Sequence, residues 1–85
     1  MNLRHPQLIR KPEVLALTGL SKSTLYARIN AQLFVPPISL GARAVAFVAS
    51  EVDAVIQAMI EEQSPEQIKL LVSLLIQQRK KSAYE

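Results

Sequence analysis

The 85 residues contain no cysteine, two glycines, one histidine, two tyrosines and two phenylalanines. Without cysteine, neither a disulfide framework nor a cysteine-zinc site can hold the chain together. The single histidine, His5, has no acid or second histidine at metal-ligand spacing, so no metal centre is expected. It reads as a surface residue of an N-terminal arm. Two glycines leave no glycine-rich phosphate loop. No nucleophile stands beside a base, and Ser21, Ser23 and Thr24 look like caps and phosphate donors instead of a catalytic group. An enzyme, a cofactor and a small-molecule ligand are therefore not expected. No apolar run approaches the ~20 residues of a membrane span, and Met1 to Arg10 lacks a signal-peptide core. A cytoplasmic protein without membrane contact is expected. No internal repeat or low-complexity segment is present.

What the chain does have is apolar content and an uneven charge. Hydrophobic residues make up 49% of it, a large share for a domain that buries only about 60% of its unfolded surface. That surplus points to a partner surface. Net charge is +3. Residues 1–50 hold Arg4, Arg10, Lys11, Lys22, Arg28 and Arg43 against Glu13 alone, six minus one, or +5. Residues 51–85 hold four basic and six acidic side chains, or −2. A local basic surplus is expected where a polyanion binds.

The stretch Pro12 to Ile29 reads as two short helices around a tight turn. Pro12 suits a first helical turn, where its missing N–H is not needed, and Glu13 follows at the positive end of the helix dipole. Val14, Leu15 and Leu17 are expected to form the buried side, and Gly19 to end the helix in a left-handed conformation. Leu20 plugs the angle. Ser21 is a good N-cap for the second helix. Leu25 and Ile29 share its docking face, leaving Lys22, Ser23, Tyr26, Ala27 and Asn30 outward and Arg28 near the edge. This is the grammar of a helix-turn-helix.

Pro36-Pro37 rules out helix. The alternations Ile38/Leu40 and Val45/Phe47 then have strand period with one buried face, joined by a two-residue turn at Gly41-Ala42 with Arg43 just past the tip. These strands form a two-stranded wing; residues 1–10 are expected as an arm or short strand tucking Leu8 and Ile9 onto the core. Ser50-Glu51-Val52-Asp53 reads as a capping box opening a helix whose stripe is Val52, Val55, Ile56, Met59 and Ile60. Ser64 caps a last helix with Pro65 first. Its apolar residues, Ile68, Leu70, Leu71, Val72, Leu74, Leu75 and Ile76, cover roughly two-thirds of the circumference at ~100° per residue. One side docks on its own domain and the other needs a partner. Arg79-Lys80-Lys81 suits the negative end of its dipole.

The fold class is thus mostly α: a winged helix-turn-helix with a two-stranded β-wing over residues 1–63 and an additional C-terminal helix over 64–85, expected to form a homodimer through residues 65–81. The partner expected for the helix-turn-helix is double-stranded DNA, with the second helix in the major groove. Ser21, Ser23 and Thr24 would meet phosphates, together with backbone N–H groups at the helix start. Lys22, Tyr26, Ala27 and Arg28 are the candidates for base edges or groove walls, with Arg28 able to read a guanine in bidentate fashion. Tyr26 has an alternative use as a ring packed on the wing. Arg43 is expected to reach a phosphate or a narrow minor groove, and Lys11 a phosphate. An adaptor using the exposed apolar side of the last helix is the alternative of another class.

Leu8 to Val14, Thr18 to Tyr26, Phe34, Pro37, Leu40 to Phe47 and Ser50 to Ile56 together resemble the AlpA-like prophage regulatory proteins, relatives of excisionases and of the MerR-type winged helix. The resemblance runs over about residues 8–60. It implies a winged helix-turn-helix DNA binder of a prophage or integrated island, acting as a transcriptional regulator or as an excisionase-type recombination directionality factor. The family usually has tryptophan at the position of Phe47 and a basic or polar residue at Val48. It often has a second arginine at Ala27 and a basic residue at Ser39. These departures lower the positive charge of the implied interface.

Overall fold

The computed structural model describes residues 6–83, with side chains through Lys80. Residues 1–5, His5 among them, and the Lys81 side chain lie outside the described residues. The order of elements is β1 (Leu8–Ile9), α1 (Lys11–Thr18), α2 (Lys22–Asn30), β2 (Ile38–Gly41), β3 (Ala44–Val48), α3 (Ala49–Ile60) and α4 (Pro65–Ala83). It is a mostly helical winged helix-turn-helix with an added C-terminal helix.

Pro12 sits in the first turn of α1, and Gly19 ends it at φ 73° with its N–H donating to the Leu15 carbonyl. Left-handed backbone is where a missing Cβ matters most. Thr18 adds a second closure: its hydroxyl donates to the Val14 carbonyl and accepts from the Leu20 N–H. Val14 is fully buried and Leu15 and Leu20 pack on the core. Leu17 does not join them; it is 52% exposed. Two residues past Leu15 the helix has turned by about 200°, which carries Leu17 to the far side. Ser21 caps α2 by accepting the Thr24 N–H at 3.2 Å, and Leu25 is its fully buried anchor.

The sheet is antiparallel with order β1-β3-β2. The arm thus supplies a third strand, with Leu8 opposite Val48 and Ile9 opposite Phe47. Ile9 is buried, whereas Leu8 stays exposed. The wing differs from its expected form in two ways. Its turn is Ala42-Arg43, because Gly41 still pairs with Ala44 and a register shift between Ser39 and Gly41 takes up one residue. A bulge of this kind moves a hairpin tip along the chain. Burial does not alternate along the strands either. Ala46 and Phe47 are both buried, while Leu40 and Val45 are exposed. The strands are covered on both sides near the helices and on neither side near the tip. Phe47 meets Phe34 edge-to-face, with centroids 6.3 Å apart at 69°, a favoured aromatic geometry.

No capping box opens α3. The helix starts at Ala49 straight from β3, with Val48 as its N-cap and no side-chain cap bond. The Ala49 N–H is already satisfied by the Gln7 carbonyl at 2.8 Å, so the chain passes from strand to helix without a loop. Val52 and Val55 are fully buried, Ile56 and Met59 pack against the core, and Ile60 at the end of the helix is exposed. A real capping box stands at α4, where Ser64 and Gln67 exchange side-chain bonds with each other's backbone N–H at 2.9 and 3.2 Å. Ile68 and Val72 enter the core that α1, α2, α3 and the sheet share, and Leu71 and Leu75 pack against it. Leu70, Leu74 and Ile76 remain exposed. No helix among the described residues is long and apolar enough to cross a membrane.

Arg79 is not a solvated C-terminal cation. It forms a two-pronged pair with Glu51, Nε to Oε2 at 2.8 Å and Nη2 to Oε1 at 2.6 Å, and Nη2 also donates to the Pro36 carbonyl at 2.8 Å. The Glu51 side chain is only 7% exposed. Its position in the first turn of α3 therefore serves burial and pairing, not capping.

Candidate nucleic-acid interface

The outward face of α2 follows from the two residues that dock it. Leu25 and Ile29 fix the inward direction, and Ala27 lies opposite them at ~100° per residue. Ser23, Thr24, Ala27 and Ala31 are all exposed. With Arg28 and Leu33 they line a shallow groove along the helix. The centre of the face is therefore small and uncharged, and the long side chains flank it.

On one flank, Lys22 is exposed and Tyr26 is half-buried. Lys11, from the start of α1, places its ammonium 5.2 Å from the Tyr26 ring centroid and donates to the Tyr26 hydroxyl at 3.3 Å. A cation over an aromatic face is attracted by the ring quadrupole. Tyr26 thus contacts Lys11 on α1, and the pair brings a second cation to the side where Lys22 stands. On the other flank Arg28 folds back on its own chain. Its Nη2 donates to the Leu33 carbonyl at 3.2 Å, and its Nε is buried without a partner. Arg28 thereby ties α2 to the segment that follows, where Gln32 turns at φ 65°.

The start of α2 gathers three hydroxyls. Ser21 donates to Thr24 Oγ1 at 2.8 Å, and Ser21 and Ser23 Oγ lie 3.4 Å apart. All three side chains are exposed. Arg43 occupies the wing tip, exposed and with φ 68°. It shares no hydrogen bond with the α2 residues. From Val14 through Ser50 the chain carries no acidic residue at all, so nothing neutralises Lys22, Arg28 or Arg43 from within that segment. No cluster of His, Cys, Asp or Glu among the described residues could hold a metal ion.

Two features escaped the sequence reading. Ala31 extends the Ser23–Ala27 stripe by one more turn; i to i+4 spacing was the available signal. The Glu51–Arg79 pair had no signal, because 28 residues separate its members.

This geometry coincides with a known sequence family. The model of the prophage CP4-57 regulatory protein (AlpA) matches residues 7–60. The chain belongs to the AlpA family. Membership carries a regulatory role in a prophage setting, and the matched residues hold β1 through α3, including every side chain of the interface. A relative is the uncharacterized protein ORF88 of Enterobacteria phage P4, 43% identical over 53 residues. That match covers 62% of this chain and 60% of the relative. No solved structure matches significantly. For this AlpA-family chain, α4 lies beyond the matched region.

Proposed function

We propose that the protein is a sequence-specific binder of double-stranded DNA that regulates transcription for a prophage or integrated element, acting in the cytoplasm and without catalysing a reaction. The observation that carries this reading is the outward face of α2: exposed, free of acids, small at its centre and flanked by cations. A major groove about 12 Å wide and 8.5 Å deep admits a helix, and small central residues let its axis approach the base edges. Ala27 then meets groove floor or thymine methyls, while Ser23 reaches base edges and Lys22 the sugar-phosphate wall of the groove. Ser21, Thr24 and the free N–H groups at the helix start bind phosphate. Lys11, held by Tyr26, supplies a further phosphate contact, and Arg43 grips the backbone or minor groove beside the wing. Arg28 positions the far end of α2 through Leu33, and a base contact from it requires release of that bond. Paired copies joined through α4 would read two half-sites.

Selection of bound sequences from random duplexes tests this directly. A recurring motif, bound more tightly than bulk DNA and lost in Ala27→Glu, is the expected result. Failure of any duplex to shift at low ionic strength would overturn the proposal.

A further inference from the structure

Of the seven apolar residues in α4, four are used by its own domain and three are not. Leu70 is 62% exposed, Leu74 47% and Ile76 38%. The face between Leu70 and Ile76 is completed by Glu66, Lys69, Ser73, Gln77 and Lys80, all exposed. Ser73 is its midpoint. The face has a particular symmetry. Reflected about Ser73, Leu70 exchanges with Ile76, Glu66 with Lys80, and Lys69 with Gln77. Two copies of this helix laid antiparallel with a two-fold axis at Ser73 would set leucine against isoleucine and acid against base, and no like charges would meet.

Such a self-complementary patch is what a two-fold interface requires. Ser73 at the axis is small enough for the helices to approach within the 8–10 Å typical of packed pairs. Among the described residues neither Glu66 nor Lys80 has an ion-pair partner, since the single pair there is Arg79–Glu51. A parallel arrangement would oppose Glu66 to Glu66 and Lys80 to Lys80.

We infer that α4 pairs antiparallel with α4 of a second copy, centred on Ser73, with two symmetric Glu66–Lys80 contacts at its ends. This deepens the pairing included in the proposed function by giving its surface and register. The contact is short, about 21 Å from residue 66 to 80 at 1.5 Å per residue. It is therefore a weak, concentration-dependent association that two DNA half-sites would reinforce.

Because the chain lacks cysteine, Ser73→Cys gives a clean crosslinking probe. Air oxidation of this 85-residue variant should yield a disulfide-linked dimer, since an axis residue meets its own copy within disulfide reach. Asp53→Cys, exposed on α3, should not. In DNA-free sedimentation, Glu66→Lys and Lys80→Glu should each weaken association about tenfold or more. The double exchange should return it to within about threefold of the parent. Circular dichroism checks that each variant is folded.

A monomer at every concentration overturns the inference, as does crosslinking no better than the control or a double variant weaker than either single one. If Lys80→Glu weakens DNA binding and leaves association unchanged, the patch contacts DNA instead and the inference falls. Loss of pairing with duplex binding intact leaves the DNA reading standing; pairing without any duplex binding does the reverse.

Discussion

At the scale of single residues, two side chains have duties their positions in the sequence do not announce. Glu51 is buried and, among the described residues, its charge is answered only by Arg79, so removal of the arginine leaves that carboxylate without its partner in the core. Arg79→Met should lower unfolding free energy by about 3 kcal/mol, because breaking one partner of a buried pair costs about 3–5. Urea titration measures it. Replacing both, as Glu51→Leu with Arg79→Met, should recover most of the loss; a double variant as unstable as the single one would refute this account. Arg43 presents the opposite case. It holds left-handed backbone at the wing tip, where a side chain is disfavoured by about 1 kcal/mol. Arg43→Gly should therefore melt slightly higher while binding duplex several-fold more weakly across all sequences. Loss of both stability and binding would assign the arginine a structural role. The Glu61 carboxyl is held below the ordinary glutamate value, because the Gln57 and Gln63 amides donate to it. A lowered pKa in the folded state favours folding above the unfolded value, and that contribution fades as pH falls through the folded one. Gln63→Ala should raise the Glu61 midpoint in a carboxyl-detected NMR titration.

At the scale of elements, legibility depended on how local each signal was. The Ser21 cap, the Gly19 terminator and the Ser64-Pro65 start each act within four residues, and all three stand as read. Ser50 has the same local grammar but is not the cap: Val48 is, and Gln7, just before β1, gives the Ala49 N–H a carbonyl partner from outside the window. Leu17 is carried to the far side of α1 by its place in the helical turn, whereas Leu40 and Ile60 have the period of inward-facing residues but lie where their elements have run past the core. The wing turn slipped by one residue because a bulge is set by strand pairing, not by the glycine beside it. For the interface, exposure at Lys22, Ser23 and Ala27 agrees with the helical spacing, whereas the bond of Arg28 to Leu33 depends on a turn conformation no periodicity reports. Ser21→Ala should cost α2 about 1 kcal/mol, seen as a lower melting temperature. Ala27→Glu should leave melting unchanged and abolish duplex binding.

At the scale of the whole molecule, the helix-turn-helix, the wing and α4 are fastened to one core, so truncating α4 would uncover that core and damage the half that carries α2 and the wing as well. For the same reason Leu71→Asp with Leu75→Asp is a test of folding, not of association: both side chains pack on the core of their own chain. Duplex affinity should fall with salt at a log–log slope of about −0.9 per phosphate contact. With the cations Lys11, Lys22 and Arg43 engaged, the parent should lose affinity steeply between low and moderate salt. Lys22→Ala should flatten the slope by about one unit, and an unchanged slope would remove Lys22 from the phosphates.

The clasp between Glu51 and Arg79 also bears on how the protein comes into being on the ribosome. The acid is synthesised 28 residues before the guanidinium that neutralises it, and the same guanidinium holds the Pro36 carbonyl at the approach to the wing. A nascent chain can wind its first helices early, but the start of α3 and the approach to the wing gain this support only once Arg79 has left the exit tunnel.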